Sequence, residues 1–175
     1  MPSIRPATPS DIPAIARIYA DAVINGTATF ELEPPTEAEM TERMRHLTGG
    51  GFPYLAAELD GDVAGYAYAG AYRIRPAYRF TVENSVYVAP VAKRLGVGRA
   101  LLDALIDECV KRGFRQMIAV IGDSPTQAGS VALHRVAGFR VIGTLDDVGF
   151  KHGRWLNSLL MQRGLGEGSN SGPSA

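Results

Sequence analysis

The sequence predicts an α/β (α+β) fold in which helices cover both faces of a mixed central sheet of about seven strands. Three observations predict it. Apolar and β-branched runs alternate with helical-period runs in the order β-α-α-β-β-β-α-β-α-β-β, neither a pure β-α alternation nor an all-β meander. Asp60-Gly61 joins two apolar runs as a hairpin turn. The stretch from Glu83 to Leu102 reads as strand, short turn, glycines and helix. At 175 residues the chain is long enough for one domain with a sizeable core.

Taken in order, Ile4 to Ala7 is a short edge strand. Ser10 is the N-cap of a helix from Asp11 to Ile24, whose Ile12, Ile15, Ala16, Tyr19 and Val23 recur at helical spacing, and Asn25-Gly26 ends it. Thr27 to Pro35 is irregular, and Phe30 reads as a plug for the core. Thr36 caps a polar surface helix that keeps Met40 and Met44 on one side and stops at Gly49-Gly50-Gly51. Pro53–Glu58 and Val63–Ala71 form the hairpin. A basic, aromatic loop, Tyr72 to Arg79, leads into the strand Thr81–Val88, which Pro90 stops because proline cannot donate to a ladder. The helix after Gly98 buries Leu101, Leu102, Leu105, Ile106 and Cys109, and Gly113 is its stop. Gln116–Ile121 is a buried strand, Gly122–Gly129 a loop and Ser130–Ala137 a short helix. Strands Arg140–Asp146 and Arg154–Arg163 flank Gly149–Gly153. The domain therefore spans 1–163, and the Gly/Ser/Pro-rich residues 164–175 are expected to be disordered.

Lys+Arg and Asp+Glu are both 18, and that balance argues against a nucleic-acid partner. The single Cys109 excludes an intrachain disulfide and suits a reducing cytosol; placed on a buried stripe, it reads as packing. No apolar run approaches the length of a membrane span and the N-terminus carries no secretory signal pattern, so a cytoplasmic protein is expected.

The chemistry concentrates where Val86, Tyr87 and Val88 give way to Lys93, Arg94, Leu95, Gly96, Val97, Gly98 and Arg99. A strand, a glycine-bearing turn and a helix start aim free backbone N–H groups and the positive end of a helix dipole at one point, which binds phosphate or pyrophosphate. The dinucleotide fingerprint G-x-G-x-x-G fails at Leu101, and the lysine-bearing phosphate loop is absent. Read alone, G-x-G also fits a tight β-to-α turn.

The full spacing, V-x-P from Val88 to Pro90 and then K-x-x-G-x-G from Lys93 to Gly98, resembles the acyl-CoA-binding motif of the GCN5-related N-acetyltransferases, with lysine where that family has arginine or glutamine. Ser130, Leu133, His134 and Gly138-Phe139 match a second family motif, in which Gln127 stands where the family has the asparagine that contacts the pantetheine arm. The resemblance covers Ser3 to about Arg163 and implies the acyl-CoA N-acyltransferase fold, acetyl-CoA as cosubstrate and no metal. Phe30-Glu31, the run Arg75 to Val88 and Val148-Gly-Phe-Lys-His-Gly-Arg-Trp-Leu156 are similar to the phosphinothricin and methionine-sulfoximine (or sulfone) N-acetyltransferase group. That similarity implies a small amino-acid-like acceptor acetylated on its α-amine, and a homodimer. The acceptor residues it implies are Phe30, Glu31, Arg73, Ile74, Arg75, Tyr78, Glu83, Asn84 and Ser85.

Acetyl transfer from a thioester to an amine needs a neutral amine, a donor for the carbonyl oxygen and a proton for the leaving thiolate. Glu83, within an apolar strand, reads either as solvent-facing or as a general base with a raised pKa. A backbone N–H near Val88 is the oxyanion donor. His134 reads either as a packed helix histidine or as the proton donor. Arg73 and Arg75, one residue apart, would share a face in extended chain and offer forks to an acceptor's anionic groups. Other readings stay open: a different small amine, a protein N-terminus, or a non-catalytic acyl-CoA-binding domain that would keep Lys93–Arg99 without needing Glu83.

Overall fold

The computed structural model describes residues 1–172. Its elements are β1 (Ser3–Pro6), α1 (Ile12–Asn25), α2 (Glu37–Gly49), β2 (Tyr54–Leu59), β3 (Asp62–Ala71), β4 (Thr81–Val88), α3 (Val97–Lys111), β5 (Gln116–Gly122), α4 (Ala128–Val136), β6 (Arg140–Lys151) and β7 (Arg154–Gly164). The seven strands make one sheet in the order β1-β2-β3-β4-β5-β7-β6, antiparallel throughout except for the parallel pair β4–β5. This is the mixed sheet expected from the element order. Among the described residues no helix is long and apolar enough to cross a membrane.

Strand alternation divides the core in two. Tyr54, Tyr66, Tyr68 and Tyr87 face α1 and α2, where they meet Ile12, Ile15, Tyr19, Val23, Met40 and Met44. Leu55, Ala57, Ala67, Ala69, Val82, Met117 and Ala119 face the other way, against Val97, Leu101, Leu102, Leu105 and Cys109 of α3. Small residues on β2 and β3 let α3 lie close to the sheet. The Cys109 thiol is fully buried and pushed up to about 12 by that burial, so it packs and stays protonated.

Four boundaries differ from the sequence expectation. Ser10 caps nothing: Thr8 starts a one-turn 3₁₀ helix, Pro9–Asp11, with a capping box to Asp11, and α1 follows directly. Asp11 is then held at about 2 by the Arg5 guanidinium, so its carboxylate stays charged as an anchor. The helix expected after Gly98 begins at Val97, with Gly96 as its N-cap. Gly149 to Lys151 belong to β6, which continues through a register shift between Leu145 and Gly149 into a tight turn at His152-Gly153. Lastly, the segment expected to be disordered from 164 onward is ordered at its start. Gly164 pairs with Gln116, Leu165 is 1% exposed and donates its N–H to the Arg115 carbonyl. One apolar side chain with a core slot to fill outweighs its flexible neighbours. Residues 173–175 of that segment lie outside the described residues.

Candidate active site

The site begins where two parallel strands part. β4 and β5 pair only from Thr81↔Gln116 to Asn84↔Ala119, although β4 runs on to Val88. On its other edge β4 stays paired with β3 to Val88↔Gly65, and Ala89 donates its N–H to Ala64. Antiparallel alternation therefore turns the N–H groups of Val86 and Val88 toward the edge that β5 has left. The opening is a cleft of about 320 Å³ that passes through the sheet. Glu83, Asn84, Ser85, Val86 and Tyr87 line one side and Ala119 to Gly122 the other, with Phe30, Thr29, Tyr19 and Tyr68 at one mouth and Gln127, Ser130 and His134 at the opposite one.

Successive residues of β4 point to opposite faces, so Glu83 and His134 attend the cleft from opposite sides of the sheet. Glu83 lies on the α1/α2 side. Burial raises its carboxyl above the ordinary glutamate value, and nearby Arg73 opposes that shift in part. Asn84 and His134 are on the α3/α4 side, 7% and 4% exposed. His134 places Nδ1 2.8 Å from the Ser130 carbonyl oxygen and Nε2 3.3 Å from Oδ1 of Asn84. Burial lowers its pKa, so the imidazole is neutral at pH 7.

Beyond Val88 the chain makes a 3₁₀ turn, Pro90–Ala92, and enters the predicted anion loop. Arg94 (φ 65°) and Gly96 (φ 83°) are both left-handed there. Lys93, Arg94 and Leu95 are exposed, and the N–H groups of Gly96, Val97, Gly98 and Arg99 open the first turn of α3 without intrahelical partners. A Cβ on Gly96 would meet nothing within 4 Å, so it is the left-handed backbone and not crowding that calls for glycine there. The Arg99 side chain is drawn aside by Asp103 at 2.5 Å, which leaves backbone amides as the main donors of this cradle.

The acceptor side is built differently from the expectation. Phe30 does not plug the core, as its local sequence reads, but stands at the cleft, on the side where the family resemblance puts an acceptor residue. Its ring lies across Gly122 and Gly149, where an added Cβ would come within 2.6 and 2.4 Å of it, and walls the cleft. The tip of the β6–β7 hairpin fixes that wall. Lys151, 4% exposed, donates to the Thr29 carbonyl at 2.9 Å, and Arg154 pairs with Asp123 at 2.5 Å. Asp123 in turn accepts from Thr27 at 2.8 Å, and Gln127 donates to the same threonine at 3.3 Å. Glu31 is at the rim, paired with Arg43 at 2.6 Å and accepting from the Tyr19 hydroxyl at 2.9 Å. Arg73, Ile74, Arg75 and Tyr78 form an exposed loop beside the mouth and do not line the cleft. The loop bends at residue 72 and again into the 3₁₀ turn Pro76–Tyr78, so Arg73 and Arg75 are not the two same-face residues of an extended strand. Of the two, Arg73 is the one close enough to act on Glu83.

Sequence reasoning missed Tyr19, Tyr68, Asp123 and Lys151. Tyr19 carried the helical spacing of a core residue and Tyr68 the alternation of a strand, signals identical to packing. The basic residues Lys151 and Arg154 within Val148–Leu156 were the available hint of Lys151 and of the partner of Asp123.

The residues from 4 to 160 match the model of the acetyltransferase (GNAT) domain family. The chain belongs to the GNAT acetyltransferase family. Within it, the phosphinothricin N-acetyltransferase of Alcaligenes faecalis is 50% identical over 171 residues, covering 98% of this chain and 86% of the relative. The L-methionine sulfoximine/L-methionine sulfone acetyltransferase of Pseudomonas aeruginosa is 40% identical over 164 residues, covering 93% and 94%. Among solved structures, a GNAT phosphinothricin acetyltransferase from Sinorhizobium meliloti in complex with AcCoA superposes with a TM-score of 0.96 at 49% identity, covering 99% of this chain and 93% of that one. The splayed β4–β5 pair and the amide cradle of this GNAT domain fit a long cosubstrate bearing a pyrophosphate at one end and a thioester at the other.

Proposed function

We propose that the protein is an acetyl-CoA-dependent N-acetyltransferase for the α-amine of a small amino-acid-like acceptor of the phosphinothricin, methionine sulfoximine or methionine sulfone type. The observation that carries this reading is Glu83, a carboxyl with a raised pKa at the mouth of a cleft along which the same strand presents the free N–H groups of Val86 and Val88. When bound, acetyl-CoA supplies an activated acetyl group: the C–S bond breaks as the C–N bond forms, and of the two protons that leave the ammonium, one ends on Glu83 and one on the departing sulfur. Glu83 accepts its proton directly or through one water. The N–H groups of Val88 and Val86 donate to the carbonyl oxygen as negative charge develops there. Backbone amides of Gly96 to Arg99 hold the pyrophosphate, with Lys93 and Arg94 adding charge, and Gln127 and Ser130 border the arm between. Phe30 and Tyr68 close the acceptor end.

Arg73 supports the amino-acid class, because an arginine beside the base offers a fork to a carboxylate at a short distance from the reacting amine. The expected result from a panel of acceptors is that phosphinothricin, methionine sulfoximine and methionine sulfone turn over faster than amines of similar size without a carboxylate. Arg73→Ala raises KM for the former roughly ten- to a hundredfold, the equivalent of one charge-assisted hydrogen bond, with less effect from Arg75→Ala. Faster turnover of uncharged amines by the unmodified protein defeats the amino-acid reading and leaves the acetyltransferase.

We also propose a homodimer and a cytoplasmic location. β6 is an edge strand exposed almost along its whole length, and the hairpin shows Phe150 and Trp155, 57% and 61% exposed, side by side. An apolar edge of this kind is covered in a soluble protein, and a second copy supplies a matching one. Sedimentation should then report twice the 18.7 kDa of one chain, while a monomer at micromolar concentration argues against it.

A further inference from the structure

Asn84 and His134 meet at the root of the cleft, on the α3/α4 side. Asn84 is the last β4 residue paired with β5 before the strands separate. Its Oδ1 faces Nε2 of His134 at 3.3 Å, and its buried amide nitrogen has no hydrogen-bond partner among the described residues. Nδ1 of the same imidazole sits 2.8 Å from a carbonyl oxygen, that of Ser130, so Nδ1 must carry a proton. In the neutral ring Nε2 is then a bare acceptor, and it faces another acceptor.

Two changes remove that conflict. A second proton on the ring makes Nε2 a donor, but it buries a charge at 4% exposure with no carboxylate against it and still leaves the Asn84 nitrogen orphaned. Turning the Asn84 amide by 180° makes its NH₂ the donor to Nε2 and ends both faults at once. The two ends of an amide have nearly the same shape, so the turn needs no movement of neighbours. The atom then left unpartnered is a carbonyl oxygen, which proteins tolerate better than an unpaired N–H. Burial favours the neutral ring as well. The groups facing it are Ser130 on α4, Asn84 on β4 and the edge of Phe139 at 5.0 Å, none of them charged.

Given the acetyl transfer argued above, we propose that His134 is a positioning residue and not the proton donor to the leaving thiolate: its Nε2 accepts from the Asn84 amide and so ties α4 to β4 at the point where the cleft opens. A neutral imidazole whose one N–H is held by the Ser130 carbonyl has no proton to present at Nε2. Its contribution is to fix the Asn84 rotamer and the distance between the helix that carries Ser130 and the strand that carries Glu83.

Two measurements test this. Nitrogen-15 NMR of the imidazoles in the unmodified protein, with His134 assigned by its absence from His134→Phe, should find Nδ1 protonated and Nε2 unprotonated across about pH 7 to 9. This arm needs no acceptor, so it stands or falls separately from the amino-acid reading. In turnover, His134→Phe and Asn84→Leu should each lower kcat roughly three- to thirtyfold and keep the alkaline side of the pH profile. The double variant should lose no more than the worse single one, because the pair acts as a unit. An Nε2–H tautomer or an imidazolium in that range overturns the proposal. So does a loss in His134→Phe of about a hundredfold or more with the alkaline side of the profile gone, the signature of a lost general acid.

Discussion

Glu83→Gln lowers kcat about a hundredfold or more, leaves KM for acetyl-CoA close to its original value, and does not lower Tm. General-base catalysis by a positioned carboxylate contributes about 10²–10⁴ in rate, and glutamine keeps the shape while removing the basicity. In the proposed site acetyl-CoA is held mainly by amides beyond Val88, on a part of the chain that Glu83 does not touch, so its affinity is expected to stay the same. The stability arm follows from the sign of the shift. Burial raises the Glu83 pKa in the folded protein, so the ionised form is disfavoured there, and above the ordinary glutamate value ionisation subtracts from stability. A neutral amide removes that cost, and the variant melts at the same temperature or higher. The rate runs the other way. Turnover needs the carboxylate, so activity is present above the raised pKa and falls as pH drops through it. Arg73 opposes the shift; Arg73→Ala should therefore move this acid limb to higher pH, and Glu83→Gln should abolish it. Pre-steady-state and steady-state rates across pH check each point, and an unchanged kcat with an unchanged limb assigns Glu83 to structure.

Gly96→Val raises KM for acetyl-CoA at least ten- to a hundredfold. Gly96 has φ 83°, a conformation that costs an L-residue about 1–2 kcal/mol and a β-branched one more. The loop therefore relaxes away from it and turns the first amides of α3 from their common point. Losing a single charge-assisted bond of about 1.5–3 kcal/mol accounts for the expected change. Gly98 is a weaker position. Its backbone is not left-handed, and an added Cβ would meet Leu133 and Val88 at 3.5 Å, ordinary contact. Gly98→Ala should cost little, and Lys93→Ala, which removes only an exposed side chain, should cost a few-fold. Titration of acetyl-CoA by calorimetry separates these variants. Equal tolerance of all three overturns the amide-cradle account.

The sequence alone determined the element order, the mixed sheet, the hairpin at Asp60-Gly61, the loop from Lys93 to Arg99 and the family. All but the family rest on local chemistry: period of apolar residues, turn dipeptides, and glycines next to a helix start, all within a few residues of one another; the family rests on the resemblance of motifs from Phe30 to Leu156. Boundaries slipped where a tertiary contact competed with a local signal, as at Leu165, whose core slot outweighs a Gly/Ser tail, and at Gly149, which reads as a loop but continues β6. What only the tertiary structure decided is the site as an object. The N–H groups of Val86 and Val88 are free because β5 departs after Ala119, a fact carried by strand geometry and by no residue type. Phe30 walls the cleft instead of filling the core because Gly122 and Gly149, distant in sequence, leave room for its ring. Lys151 and Asp123 hold that wall from a hairpin and a strand end that meet only in the fold. Glu83 and His134 attend one cleft from opposite faces of the sheet, and a local pattern records which residues alternate along a strand but not which helix waits on either side.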